Sequence, residues 1–349
     1  MKKRLLGVVT AVTAALVLVA AAMAATSVYT KPSLSVSYSG SATRIVAKAD
    51  VTEDATARAA IIVSEGTSIN TSAGPGTKVG TAQAQVSALA LGGALLPLAG
   101  DIVVAPPGAI PAASQTACIG ALPPSASYLL TLAAAGQTIN LPAYIVPTAG
   151  AQIQLGASQL VFCLPNPEIP ADQGGATFGA KFLSADLTFN GVFSPLREAL
   201  WLSFWTPWTP GANAVNPAGT VAAGSLILPG AVTIKGKRTA GKITLTGKVT
   251  YGGNGFAEIV QVWGAAKTGA LKRLKTVVAK QDGTFTFALG KAAKQTRFQA
   301  RVVSPEFANT PEESAKICAR VYPNNQLGVP CSGWTLNAFT AQSKVISVR

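Results

Sequence analysis

No histidine occurs anywhere in the 349 residues. That absence removes Ser-His-Asp and Cys-His nucleophile systems, histidine general bases and histidine-ligated metals together. Paired carboxylates, a Ser-Lys arrangement or an oxygen-ligated metal are the chemistries left. Charge is also scarce over a long stretch: between Lys78 and Glu168 the only charged residue is Asp101. Close Cys-x-x-Cys spacing is missing, so the four cysteines do not form a zinc site. Large aromatics are sparse, yet three of the five tryptophans, Trp201, Trp205 and Trp208, fall with Phe204 in the single stretch LWLSFWTPWTP (200–210).

What is present first is an export pattern. Lys2, Lys3 and Arg4 precede an uncharged apolar run from Leu5 to Ala21, and Ala22-Met23-Ala24 supplies the small residues that a signal peptidase reads. This predicts a signal peptide over residues 1–24 and a secreted or cell-surface protein with no stable membrane insertion after cleavage. An uncleaved anchor is the rival, since the run is nearly long enough to span a bilayer; its small-residue end favours cleavage. Cys118, Cys163, Cys318 and Cys331 are an even set that allows three pairings. The sequential pairs Cys118 with Cys163 and Cys318 with Cys331 are favoured because each closes a loop within one apparent domain. By chain entropy they stabilise by about 4 and about 3 kcal/mol.

Charge then divides the chain. Residues 26–230 carry seven Lys/Arg against nine Asp/Glu, a net of −2, whereas residues 231–349 carry eighteen against five, a net of +13. Such asymmetry marks a boundary near Leu228-Pro229-Gly230 and predicts two domains, a low-charge one over 25–230 and a basic one over 231–349. In the first, short apolar runs such as Leu34–Tyr38, Ala59–Val63, Tyr144–Val146 and Leu160–Cys163 alternate with Gly, Pro, Asn and Ser turns. Helical periodicity is best over Val86–Leu98, but paired glycines and Pro97 argue against a long helix there. The expected class is all-β, two antiparallel β-sandwich domains after the signal peptide.

Several strings in this region occur together: CLPNPEIP (163–170), GGATFGAKFLSADLTF (174–189), VFSPL (192–196) and NPAGT (216–220). The combination resembles an uncharacterised group of secreted proteins from Gram-positive soil bacteria. The resemblance implies an extracellular compartment and brings no catalytic or binding residue with it.

The basic region reads more clearly. In KITLTGKVTY (242–251) the residues Ile243, Leu245, Val249 and Tyr251 alternate with Lys and Thr, the pattern of a half-buried antiparallel strand. FAEIVQVW (256–263), LKTVVAK (274–280), TFTFAL (284–289) and RFQARVV (297–303) read as further strands, with Gln281-Asp282-Gly283 as a hairpin turn. A loop over 304–341 and a closing strand in SKVISVR (343–349) complete it. A strand, an Asp-Gly turn and a Phe-x-Phe strand resemble the immunoglobulin-like modules of bacterial surface proteins, including those related to the regulatory sandwich domain of carboxypeptidases. That resemblance implies a fold and an accessory role, not a substrate.

Candidate sites follow from these patterns. Lys242, Lys248, Lys267, Lys272, Arg273, Lys275, Arg297 and Arg301 suit attraction to a polyanion, outside the cell an anionic wall polymer or an acidic glycan. They equally suit plain solubility. Stacking aromatics and nucleic-acid motifs are missing, which argues against intracellular nucleic acid. The tryptophan strand is apolar on both faces, so it is either core or a sugar-stacking platform, with Trp208 the candidate for stacking. Asp50, Glu53 and Asp54 match no defined calcium loop, and no cofactor or metal is expected. The reading is a non-enzymatic envelope binding or structural protein; the alternative is a carbohydrate-active enzyme or its accessory subunit using carboxylates such as Asp172, Asp186 or Glu198. Export predicts a mature chain that begins at Ala25 in the mass spectrum of secreted material, and a chain still beginning at Met1 would contradict it.

Overall fold

The computed structural model describes residues 29–134, 136–194, 196, 198–290, 294–308, 316 and 328–348. The expected signal peptide and Cys318 lie outside the described residues. The described chain is mostly β. Its strands are β1 (Ser33–Ser39), β2 (Ala42–Lys48), β3 (Thr56–Ile62), β4 (Lys78–Ala88), β5 (Ala94–Val104), β6 (Ala126–Ala134), β7 (Gln137–Pro147), β8 (Ser158–Cys163), β9 (Ala180–Asn190), β10 (Ala199–Pro207) and β11 (Val221–Ile227). The α-helix α1 (Ala112–Ile119) interrupts this series. Then come β12 (Gly230–Thr239), β13 (Lys242–Tyr251), β14 (Asn254–Gly255), β15 (Ile259–Ala265), β16 (Lys272–Val278), β17 (Thr284–Leu289), β18 (Arg297–Ser304), β19 (Phe307–Ala308), β20 (Cys331–Leu336), β21 (Phe339–Gln342) and β22 (Ile346–Ser347). The Val86–Leu98 segment holds no long helix, as expected: a single 3-10 turn over Leu89–Leu91 ends at Gly92 and Gly93, at φ 67° and 82°, which turn β4 back onto β5.

The first region differs from the expected two-sheet sandwich. Its strands form one continuous thirteen-stranded sheet in the order β1-β2-β9-β4-β5-β6-β7-β8-β3-β10-β11-β20-β19. Alternation in sequence dictates which side chains share a face, but it does not dictate whether a run of strands breaks into two sheets. A twisted sheet this wide curls, and this one rolls until β1 lies against β11 and β20. The seam is joined by side chains: Val36 N–H donates to Ser225 Oγ at 2.9 Å, Thr335 Oγ1 donates to Leu34 O at 2.6 Å and Ser332 Oγ donates to Pro32 O at 2.6 Å. Rolling puts one face inside, where Leu34, Ile45, Ile61, Ile102, Leu130, Ile145, Leu160, Phe189 and Trp201 share a single core.

Two apolar patches of the outer face are covered. Cys118 of α1 is bonded to Cys163 of β8, as expected, and the helix lies over Ala60, Tyr144 and Val161. Cys331 is also in a disulfide. Farther along, Leu202 and Phe204 of β10 and Ala222 of β11 meet Trp334 from β20. Gly224 lies directly beneath that indole, and a Cβ there would overlap its six-membered ring. The segment expected as a loop over 304–341 therefore includes two strands that rejoin the first sheet, because the outer face of β10 and β11 needs a cover. β20 runs parallel to β11, whereas every other ladder among the described residues is antiparallel.

The second unit consists of two smaller sheets around one core. One contains β12, β13, β14 and β17; the other contains β15, β16, β18, β21 and β22. Val232, Ile243, Leu245 and Val249 of the first meet Val260, Val262, Phe298 and Val302 of the second. The closing strand is present, with Ile346 opposite Phe298. The Asp282-Gly283 turn forms, with Gly283 at φ 78° and Lys280 N–H donating to Thr284 O at 2.8 Å. It is not a hairpin within one sheet: β16 pairs with β15 and β17 with β13, so the turn carries the chain from one sheet to the other. Tyr251, Phe256 and Phe339 stack at the junction of the two units with centroids 5.4 to 6.2 Å apart. Trp334→Ala is predicted to lower stability by about 3–5 kcal/mol in urea denaturation, and a loss below about 1 kcal/mol would show that this ring does not seal the outer face.

Candidate functional site

Strand register decides which basic residues share a surface. On β13 the core side takes Ile243, Leu245 and Val249, so Lys242, Thr244, Thr246 and Lys248 face water. Lys235 stands opposite Thr246 and Lys237 opposite Thr244 on β12, while Thr286 and Thr284 flank Thr246 and Lys248 from β17. The result is a flat exposed sheet face of threonines and four lysines, Lys235, Lys237, Lys242 and Lys248, none in an ion pair among the described residues. Asp282 is the acid at its margin. Its carboxylate accepts from the Thr284 hydroxyl at 2.7 Å and the Thr284 amide at 2.9 Å, which holds it below the usual carboxylate range.

The other predicted basic residues lie on the opposite sheet. Arg301 on β18 lays its guanidinium 4.2 Å from the centre of the Trp263 ring and donates from Nε to Gln299 Oε1 at 2.8 Å. Arg297, two strand repeats away on the same face, donates to Gly269 O at 3.3 Å. Arg273 pairs in register with Trp263. Lys272, Arg273 and Lys275 are exposed along the edge strand β16, and Lys267 is exposed on the connection before it. The eight positions thus form two groups, Lys242 and Lys248 on one sheet and the other six on or beside its partner. Lys235 and Lys237 complete the first group, and the alternation of TIKGK (233–237) was the signal for them.

The three tryptophans of the first region, with Asp50, Glu53 and Asp186, have structural partners. Trp201 and Trp205 are buried, their indole N–H groups donating to Tyr38 Oη at 2.9 Å and Ser203 Oγ at 2.7 Å. Trp208 is half-buried, with its N–H given to Leu164 O at 3.2 Å. Asp50 accepts from Thr52 N–H and hydroxyl and pairs with Lys31, which holds its carboxyl down to about 2. Glu53 is buried and accepts from Lys31 N–H at 2.7 Å and from Thr30. These carboxylates fasten the chain entering β1. Asp186 faces Arg44 across β2 and β9. Asp172 lies ahead of β9 and Glu198 ahead of β10, strands whose first residues stand at opposite ends of the roll, so the three do not converge.

The roll itself is filled at one end and hollow at the other. Tyr128, Phe189, Phe193 and Trp201 stack edge to face in sequence at 5.3 to 5.8 Å. Burial pushes the Tyr128 phenol up to about 12. Toward the other end the inward positions become small, Ala59, Ala82, Ala84, Ala180 and Ala185, and a cavity of about 280 Å³ opens between them and Trp205. Its mouth is bordered by Thr138, Asn140 and the segment from Leu164 to Lys181. Lys181 reaches across it, donating from Nζ to Val51 O at 2.8 Å and to Glu53 O, and burial lowers its pKa. The sequence signal for the hollow was GTAQAQV (80–86), where alanine occupies two successive inward positions.

No protein-family model matches the chain, and no curated protein does. Among solved structures a similar chain is dimeric latent PorU from Porphyromonas gingivalis, 10% identical with a TM-score of 0.17. The match covers 90% of this chain and 32% of that one. Likeness at that level carries no argument about fold or function. Burial separates the tryptophans: Trp201→Ala is predicted to cost about 3–5 kcal/mol in urea denaturation and Trp208→Ala less than half as much, and equal losses would contradict the assignment of Trp201 to the core.

Proposed function

We propose that this is an exported, non-enzymatic binding or scaffolding protein of the cell envelope or extracellular space, which adsorbs to an anionic wall polymer or acidic glycan through its basic second unit. The finer fold reading that accompanies it is an immunoglobulin-like sandwich for the two sheets spanning 230–304 and 339–348. One observation carries the proposal: Lys235, Lys237, Lys242 and Lys248 stand on one flat sheet face, exposed and free of ion pairs among the described residues. A regular array of cations on a rigid sheet matches the repeating charge of a polyanion without demanding a fixed sequence or pocket. Threonines between the lysines add hydroxyl donors and acceptors at the same surface. The disulfide between Cys118 and Cys163 supports an oxidising compartment.

Counterion release gives the test. Four contacts predict a roughly hundredfold fall in affinity for purified anionic wall polymer between about 50 and 200 mM salt. Replacing Lys235, Lys237, Lys242 and Lys248 by Gln flattens the slope of log K against log salt by about three. Replacing Arg273 and Arg297 instead leaves most of that slope. Absence of binding at low salt, or loss of the slope only with the arginine variant, would end this assignment.

A further inference from the structure

We propose that the hollow end of the rolled sheet is a binding site for a small, neutral aliphatic molecule, such as a medium-chain alcohol or ester, admitted past the segment from Leu164 to Lys181. The site is separate from the lysine face and independent of it. Protein interiors normally pack to crystal density, and the same roll does so around Phe189 and Phe193. Emptiness at the other end is therefore a local consequence of residue choice: Ala59, Ala82, Ala84 and Ala185 stand at inward positions where the neighbouring rows hold Ile61, Leu187 and Phe189.

Size and wall chemistry select the occupant. A cavity of about 280 Å³ is nearly twice the ~150 Å³ apolar cavity that takes benzene, which sets the ligand at roughly a dozen non-hydrogen atoms. The deep walls are carbon, from Leu98, Leu130, Phe162 and Trp205, so water finds few partners there and an aliphatic chain finds many. Polar side chains along the wall are few: Thr138 and Asn140 pair with Ala133 and Thr131 on the outer face, the Thr56 hydroxyl is bonded to Tyr29 Oη at 2.6 Å, and Thr177 in the cover is half-buried. The Thr177 hydroxyl suits a neutral head that donates or accepts one hydrogen bond.

Electrostatics exclude a fatty-acid-like anion. Lys181 is the cation at the mouth, but its ammonium already donates to Val51 O and Glu53 O, and Asp50, Glu53, Asp54 and Glu168 all lie within its electrostatic reach. Lys181 and Lys31, which pairs with Asp50, are two cations against four carboxylates, and the net negative charge disfavours a carboxylate head.

The cover is built from the strings that stand out in the sequence, CLPNPEIP and GGATFGAKF. Ala176 N–H donates to Asn166 O at 2.9 Å, Asn166 Nδ2 to Ala212 O at 3.3 Å and Gly211 N–H to Glu168 Oε2 at 2.8 Å, while Lys181 at its end is held by Val51 O and Glu53 O. Phe178, half-buried in this cover, holds φ at 58°, a left-handed conformation that a bulky side chain adopts at a cost. Residues held in this way cluster at ligand clamps.

The experiment uses the full chain and the small neutral fluorophore N-methyl-1-naphthylamine, which has about a dozen non-hydrogen atoms. Fluorescence is expected to rise on binding, to be reversed by 1-decanol, and to be reversed at least tenfold less effectively by decanoate. Filling the cavity by Ala84→Leu, or separately by Ala185→Leu, should weaken dye uptake at least tenfold while the melting temperature holds or rises. Saturating 1-decanol should raise the melting temperature of the unsubstituted chain, because it binds only the folded state. Absence of dye uptake together with no melting shift overturns the site. So does dye uptake that neither folded filling variant diminishes. Equal displacement by decanol and decanoate overturns the neutral head.

Discussion

Strand β10 must bury both of its faces, and most of the architecture answers to that requirement. Trp201, Ser203 and Trp205 point one way while Leu202 and Phe204 point the other, and all five are buried. A flat sheet with one wet face leaves half of this surface in water. Rolling the sheet covers the tryptophan side with the opposing wall of the same sheet. The opposite side is covered by Trp334, which the chain delivers only after building most of the second unit. Burial of side chains this large outweighs the entropy of closing so long a loop, which grows only slowly with length.

Two surface features follow from that solution. Because the roll is wide and its aromatic residues are gathered at one end, small inward residues at the other end leave a cavity. Because β21 and β22 return to the second unit after β19 and β20 have joined the first, the two units are tied by covalent chain at three places and by the Tyr251, Phe256 and Phe339 cluster. Gly230 permits this contact, since a Cβ there would overlap the Phe339 ring. The lysine face is thereby displayed on a unit anchored at both ends, and not on a flexible tail.

Legibility from sequence was high for local structure and low for long-range pairing. KITLTGKVTY, TFTFAL and RFQARVV became strands because period-2 burial is a property of a few neighbouring residues. The Cys118–Cys163 bond was readable because both cysteines lie within one apparent region of the chain, where closure needs no crossing of its boundary. The Asp282-Gly283 turn formed as its local chemistry demands, yet its flanking strands went to different sheets, a choice set by partners far away in sequence. The same reason hid the thirteen-strand order, the return of β20 and the cavity. Ala82 and Ala84 look like ordinary small residues until eight other strands are placed around them.

The roll depends on a seam that no backbone ladder closes, so amide hydrogen exchange at Val36 is the most direct measurement. Its N–H points from β1 to Ser225 Oγ on the far side of the sheet. The account predicts exchange at Val36 as slow as at the central strand β10, since both then open only with the roll. Exchange at the rate of a solvent-exposed edge strand would contradict it.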